Sequence, residues 1–208
     1  MRKITAFTLG ETLIVIGIIG VIAALLLPTI NQIQPDRHKV LFKKAYSTID
    51  RIVTELVNDD ALYPEAMGSE GFDNTTTDLG ITSAALTGID ANTKFCRLFA
   101  YKVNTVTNGT VNCPATLTNG SASGSGSTPS FTTTDGIEFY IPSSTFAAPV
   151  TISVDVNGAK EPNCKFNATS CKMADRFEVI VAADGGISVT GTMEQAYLKT
   201  TSVAREAN

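Results

Sequence analysis

The chain has a single histidine, His38, and none of its four cysteines forms a Cys-x-x-Cys pair. Those two shortages remove zinc sites of ordinary spacing and leave no second imidazole for acid–base work. A serine elbow, a nucleotide-binding loop and a cluster of metal ligands are missing too, so the sequence brings no acid, base and nucleophile together. An enzyme is therefore not expected, and neither is a cofactor. Basic residues are also in short supply, with 16 Lys and Arg against 20 Asp and Glu for a formal charge of −4. With no basic run to meet phosphates, a nucleic-acid partner is not expected.

What is present fits one ordinary domain plus an added segment: 208 residues, 43% hydrophobic and 17% charged. The added segment is residues 7–30, FTLGETLIVIGIIGVIAALLLPTI, whose one charge is Glu11. As a helix it would extend about 36 Å at 1.5 Å per residue, enough to cross a bilayer. A domain of this size rarely encloses a helix that is apolar on every face. A removable secretory signal would have a shorter apolar stretch followed by a small-x-small site, whereas PTINQIQPD follows here. The expectation is a single pass through a membrane with an exported C-terminal head. Arg37, Lys39, Lys43 and Lys44 after the span outnumber Arg2 and Lys3 before it, which alone would keep the head inside. Large trailing domains translocate regardless of nearby charge, however, and the cysteines suit an oxidising compartment.

Those cysteines are Cys96, Cys113, Cys164 and Cys171. Four allow three pairings, of which Cys96 with Cys113 and Cys164 with Cys171 close the shortest loops. Four buried free thiols are the alternative.

A carboxylate at membrane depth is costly and marks a pairing or a pathway. MRKITA followed by FTLGETLIVIGIIGVIAALLLP resembles the class III signal of type IV pilins and type II secretion pseudopilins, with basic residues before Ala6, then Phe7, Thr8 and Leu9, then Glu11, Gly20 and Pro28. Ala6 stands where such signals commonly have glycine, and Gly10 where they have a branched aliphatic residue. The resemblance implies a leader at residues 1–6, cleavage between Ala6 and Phe7 by a prepilin peptidase, and N-methylation of Phe7. It further implies that residues 7–30 stay on the mature subunit, and that Glu11 serves assembly by pairing with the N-terminal amine of a neighbouring copy. Loss of Arg2 and Lys3 with the leader would take the charge to −6. The implied partners are further copies in a helical filament, the peptidase, an inner-membrane assembly platform, and membrane lipid before assembly.

Gly10, Gly17 and Ala24 recur every seven positions, with Gly20 near the same side, a stripe that lets helices approach closely. Pro28 takes one hydrogen bond out of the helix, so a bend is expected near Gly20 and Pro28. Beyond Pro35, residues 31–60 read as an amphipathic continuation of the helix, with Leu41, Ala45, Ile49, Ile52 or Val53, and Leu56 on one stripe. His38 lies in the charged run DRHKV and reads as solvated, and Asp59 with Asp60 read as a solvated helix end.

Residues 61–208 form the expected head. Thr, Asn, Gly and Ser dominate residues 68–134, which read as loops, with a flexible stretch near 118–134. Alternation then signals strands, with Ile137, Phe139 and Ile141, then Ile152, Val154 and Val156, then Phe177, Val179 and Val181, and a turn at Asp184, Gly185 and Gly186 into a fourth. Asp155 and Asn157 are a fragment of a calcium-loop pattern, with Asp175 and Asp184 as distant oxygens, but the closing glutamate is missing and turn formation explains them better.

The predicted fold class is α+β: a long N-terminal helix, apolar then amphipathic, packed on a small antiparallel sheet in a pilin-like arrangement. The function expected is a structural subunit of a type IV pilus or a type II secretion pseudopilus. A minor pilin acting as adhesin or DNA-uptake tip through residues 121–130 is one rival, and a membrane-tethered hydrolase or sensor is another.

Overall fold

The computed structural model describes residues 9–33, 37–63, 71–72, 89–103, 105, 111–114, 128–166, 171 and 173–199. The chain divides into two units, Met1–Arg37 and His38–Asn208. The first unit holds one helix, α1 (Leu9–Ile33). From 9 to 22 its side chains are exposed, and they include large apolar groups pointing in every direction, among them Leu13, Ile14, Ile16 and Ile19.

Two expectations are corrected here. Two helices stand where one was expected: α1 is Leu9–Ile33 and α2 is Arg37–Val57. The architecture among the described residues is four helices and a five-stranded antiparallel sheet, in place of a long two-part helix on a small sheet. Among the described residues, moreover, no helix is long and apolar enough to cross a membrane. The expected single-pass membrane location is set aside accordingly.

The second unit is built on α2, whose helical spacing buries His38, Phe42, Ala45, Ile49, Ile52, Val53 and Leu56 on one side. A shorter helix, α3 (Lys94–Lys102), buries Phe95, Leu98 and Phe99, and a last one, α4, spans Thr192–Lys199. The strands are β1 (Phe131–Thr132), β2 (Glu138–Tyr140), β3 (Val150–Asp155), β4 (Arg176–Val181) and β5 (Ile187–Ser188), paired antiparallel in sequence order as a meander.

Alternation along the strands sends Ile137, Phe139, Ile141, Ile152, Val154, Val156, Phe177, Val179 and Val181 into the core. There the Phe42 ring of α2 packs 4.5 Å from the Phe177 ring of β4, while Phe99 of α3 meets Phe131 and Phe139 at 6.1 and 5.9 Å. Gly185 turns β4 into β5 with φ +81°, and a Cβ there would press on Val57 at 3.0 Å, so glycine is required on both counts. Two disulfides tie the loops down. Cys96 joins Cys113 across 17 residues, and Cys164 joins Cys171 across 7. Thus α3 is fastened to the segment that hydrogen-bonds β1 through the Asn112 amide and the Ser130 carbonyl.

Candidate functional site

The first candidate surface is α1 itself. Glu11 sits in its first turn and is exposed, where the unsatisfied amides of a helix start favour a negative charge. The Thr12 hydroxyl donates to the Leu9 carbonyl at 2.9 Å in the same turn. At Gly10, Gly17 and Gly20 an added Cβ would meet nothing within 4 Å, so this side is open in the single chain. Pro28 falls inside the helical run, which continues to Ile33. Ala6 and Phe7, the expected cleavage and methylation positions, lie outside the described residues.

The calcium-pattern residues have protein partners instead. Register sets Asp155 beside Glu138 on one neighbour and Arg176 on the other, on the face of the sheet away from the helices. The residue is fully buried, and the Arg176 Nε donates to its Oδ2 at 2.8 Å. Burial pushes the Asp155 carboxyl up to about 6, against the opposing pull of the Arg176 hydrogen bond. Both oxygens of Asp175 are taken, by the amides of Asn163 at 2.8 Å and Cys164 at 2.7 Å. Asp184 accepts from the Gly186 amide within its own turn. Asn157 donates its amide nitrogen to the Glu161 carbonyl at 3.4 Å, and its Oδ1 is buried without a partner. No group of three or more His, Cys, Asp or Glu among the described residues could hold a metal. Arginine and main-chain amides occupy the oxygens that a cation would need.

His38, read from its charged neighbours as solvated, is buried instead. Its Nδ1 lies 3.0 Å from the Ala174 carbonyl, a contact that places the proton on Nδ1 and fastens the start of α2 to the segment entering β4. Asp59 caps the other end, its carbonyl receiving the amides of Leu62 and Tyr63 and its carboxylate facing Lys102.

A cleft of about 200 Å³ opens between α2, the last turn of α3 and the turn joining β1 to β2. Its floor is Ala45, Val103, Ile137 and Phe139, and Lys44, Thr48, Arg51, Thr133, Thr134 and Asp135 surround it. Lys44 and Asp135 meet across it at 2.7 Å. Partial burial alone would raise the Asp135 carboxyl, but hydrogen bonds from Lys44 and Thr133 outweigh it and hold the group below its ordinary value. The alternation and helical periods that build the core do not announce this cleft. Only Lys44 and Arg51, seven residues apart on the wet side of α2, hinted at it.

Compared with known proteins, the chain matches no family, no curated protein and no solved structure. The site must be read from its own geometry.

Proposed function

We propose that this chain is the structural subunit of a helical filament of the type IV pilus or type II secretion pseudopilus kind, without catalytic activity of its own. The observation that supports the reading is α1, which displays nine large apolar side chains to solvent, from Leu9 at 80% to Val15 at 48% exposed. A helix that is greasy on all sides needs cover. Side-by-side copies of the same helix provide it, and small residues at Gly10, Gly17 and Gly20 let them come close. Burying those nine groups is worth on the order of 10 kcal/mol per subunit, comparable with the roughly 4–15 kcal/mol that association costs.

Removal of residues 1–6 by a prepilin peptidase frees an amine at Phe7, and Glu11 of an adjoining copy is the carboxylate that meets it. Neither charge is then left alone among apolar side chains. An assembly platform is the further partner of this reading.

The test is the filament itself. Mass spectrometry of the filament-borne subunit is expected to show a methylated N-terminal Phe7, and a subunit that still begins at Met1 would end the reading. Glu11→Ala is expected to leave cleavage intact and to reduce incorporation at least about tenfold, the scale of a lost charge pair.

A further inference from the structure

We infer that the cleft between α2 and the β1–β2 turn is a binding site for a carboxylated sugar residue of the uronic-acid kind. The inference rests on the second unit alone and does not depend on filament assembly.

Its basis is an excess of donors. The Arg51 guanidinium offers five N–H groups, yet its one ion pair among the described residues, with Glu55, is 3.8 Å long, beyond hydrogen-bond reach. Glu55 is engaged on its other oxygen by Lys102 at 2.6 Å, so Arg51 is not its main partner. About two turns earlier on the same side of α2, Lys44 uses one ammonium contact on Asp135, and two N–H groups remain. The Thr134 hydroxyl is exposed and makes no hydrogen bond among the described residues. Asp135, the one acid on the rim, is engaged on both oxygens: Lys44 holds one and the Thr133 hydroxyl donates to the other at 2.5 Å. The cleft therefore offers donors and few free acceptors, which selects a ligand rich in acceptors and negatively charged.

Arginine in such a place favours a planar carboxylate, which it grips with two parallel N–H bonds. Of the three threonines on the wall, Thr134 is the one whose hydroxyl hydrogen is unspent; the Thr48 hydroxyl donates to the Lys44 carbonyl at 2.9 Å and can meet a ligand hydroxyl as an acceptor, and Thr133 is spent on Asp135. A cavity of about 200 Å³ lies below the 300–1,000 Å³ of drug-sized pockets, and so holds one ring, not a chain. The apolar floor then faces the C–H side of that ring.

The experiment is calorimetric titration of the full-length chain with four probes: glucuronate, glucose, acetate and inorganic phosphate. Glucuronate is expected to bind at one site at least about tenfold tighter than each of the others, because only it carries both the carboxylate and the hydroxylated ring. Arg51→Gln is expected to weaken glucuronate at least about tenfold with an unchanged unfolding temperature, since Arg51 is 63% exposed. Thr134→Val, on the opposite wall, is expected to weaken it about threefold and serves alone if the first variant does not fold. Acetate or phosphate binding as tightly as glucuronate overturns the assignment of a sugar acid. Glucuronate affinity unaltered by both substitutions overturns the site.

Discussion

The helices α1 and α2 are of similar length, 25 and 21 residues, and meet opposite fates. In α2 the apolar residues fall on one stripe, that stripe is buried, and charges such as Lys43, Asp50 and Arg51 occupy the remainder. In α1 apolar residues occupy every side, so no single face could satisfy them, and from 9 to 22 they stay exposed. A helix with a stripe can be completed by its own chain, whereas a helix without one must be completed by something outside it. The second unit has a core closed around α2.

The comparison is broken most forcefully by truncating one apolar residue in each helix environment. Phe177 is fully buried against Phe42, so Phe177→Ala is expected to cost about 3–5 kcal/mol and to lower the unfolding temperature by 10 °C or more, roughly. Ile16 is 66% exposed on α1. Ile16→Ala is expected to leave the unfolding of the head within about 0.5 kcal/mol while weakening self-association of the full chain in sedimentation experiments. An equal loss of head stability in both variants would show that α1 belongs to the folded core.

The same comparison explains what could be read in advance. Period-two alternation identified the inward residues of β2, β3 and β4 because each strand lies over one core and under solvent or loop, the condition that alternation encodes. Helix α3 was hidden in a stretch judged by its Thr, Asn and Gly content. Its signal was local: Phe95, Leu98 and Phe99 at helical spacing, preceded by Asp90, whose Oδ1 accepts from the amides of Asn92 and Thr93 at 2.9 and 2.8 Å. The short strand β1 offered two residues only, too few for a period. The burial of His38 and the pairing of Asp155 with Arg176, 21 positions apart, depend on which segments lie side by side, and no spacing along the chain records that.

Next in size is the crosslink between α3 and the strand-side segment. Removing it with Cys96→Ala and Cys113→Ala together reopens a 17-residue loop in the unfolded chain. About 3 kcal/mol of head stability is expected to be lost in denaturant titration. The shorter Cys164–Cys171 loop, spanning 7 residues, is expected to contribute somewhat less, about 2.4 kcal/mol on the same chain-entropy scale. A larger loss from the shorter loop would show that native packing around Cys164, and not loop closure, carries the effect.

Asp155 supplies a pH signature. Its carboxyl rises from an ordinary 3.8 to about 6 on burial, so the folded head holds this proton more tightly than the unfolded chain does. The resulting stabilisation is fully present below about 3.8 and is lost as pH climbs through about 6, with an upper bound near 3 kcal/mol. Asp90 and Asp135, both held below their ordinary values, act in the opposite sense at lower pH. The measurement is therefore a difference: unfolding free energy against pH for the native chain minus that for Asp155→Asn. That difference is expected to fall between pH 4 and pH 6.5 and to stay level above, and a flat line throughout would remove Asp155 as a titrating group.

The smallest effect belongs to the cleft. Lys44 and Asp135 are joined at 2.7 Å, but their side chains are 59% and 32% exposed, so water screens the pair and ordering a long lysine offsets part of the attraction. Lys44→Ala is expected to change head stability by less than about 0.5 kcal/mol and to let the Asp135 carboxyl return toward its ordinary value, read as a shifted NMR titration of that residue. This contrasts with Arg176 and Asp155, at 2.8 Å and with side chains only 6% and 0% exposed, where removing the arginine strands a buried acid and is expected to cost several times as much. A Lys44→Ala loss matching that of Arg176→Ala would mean that the rim of the cleft is held as tightly as the sheet.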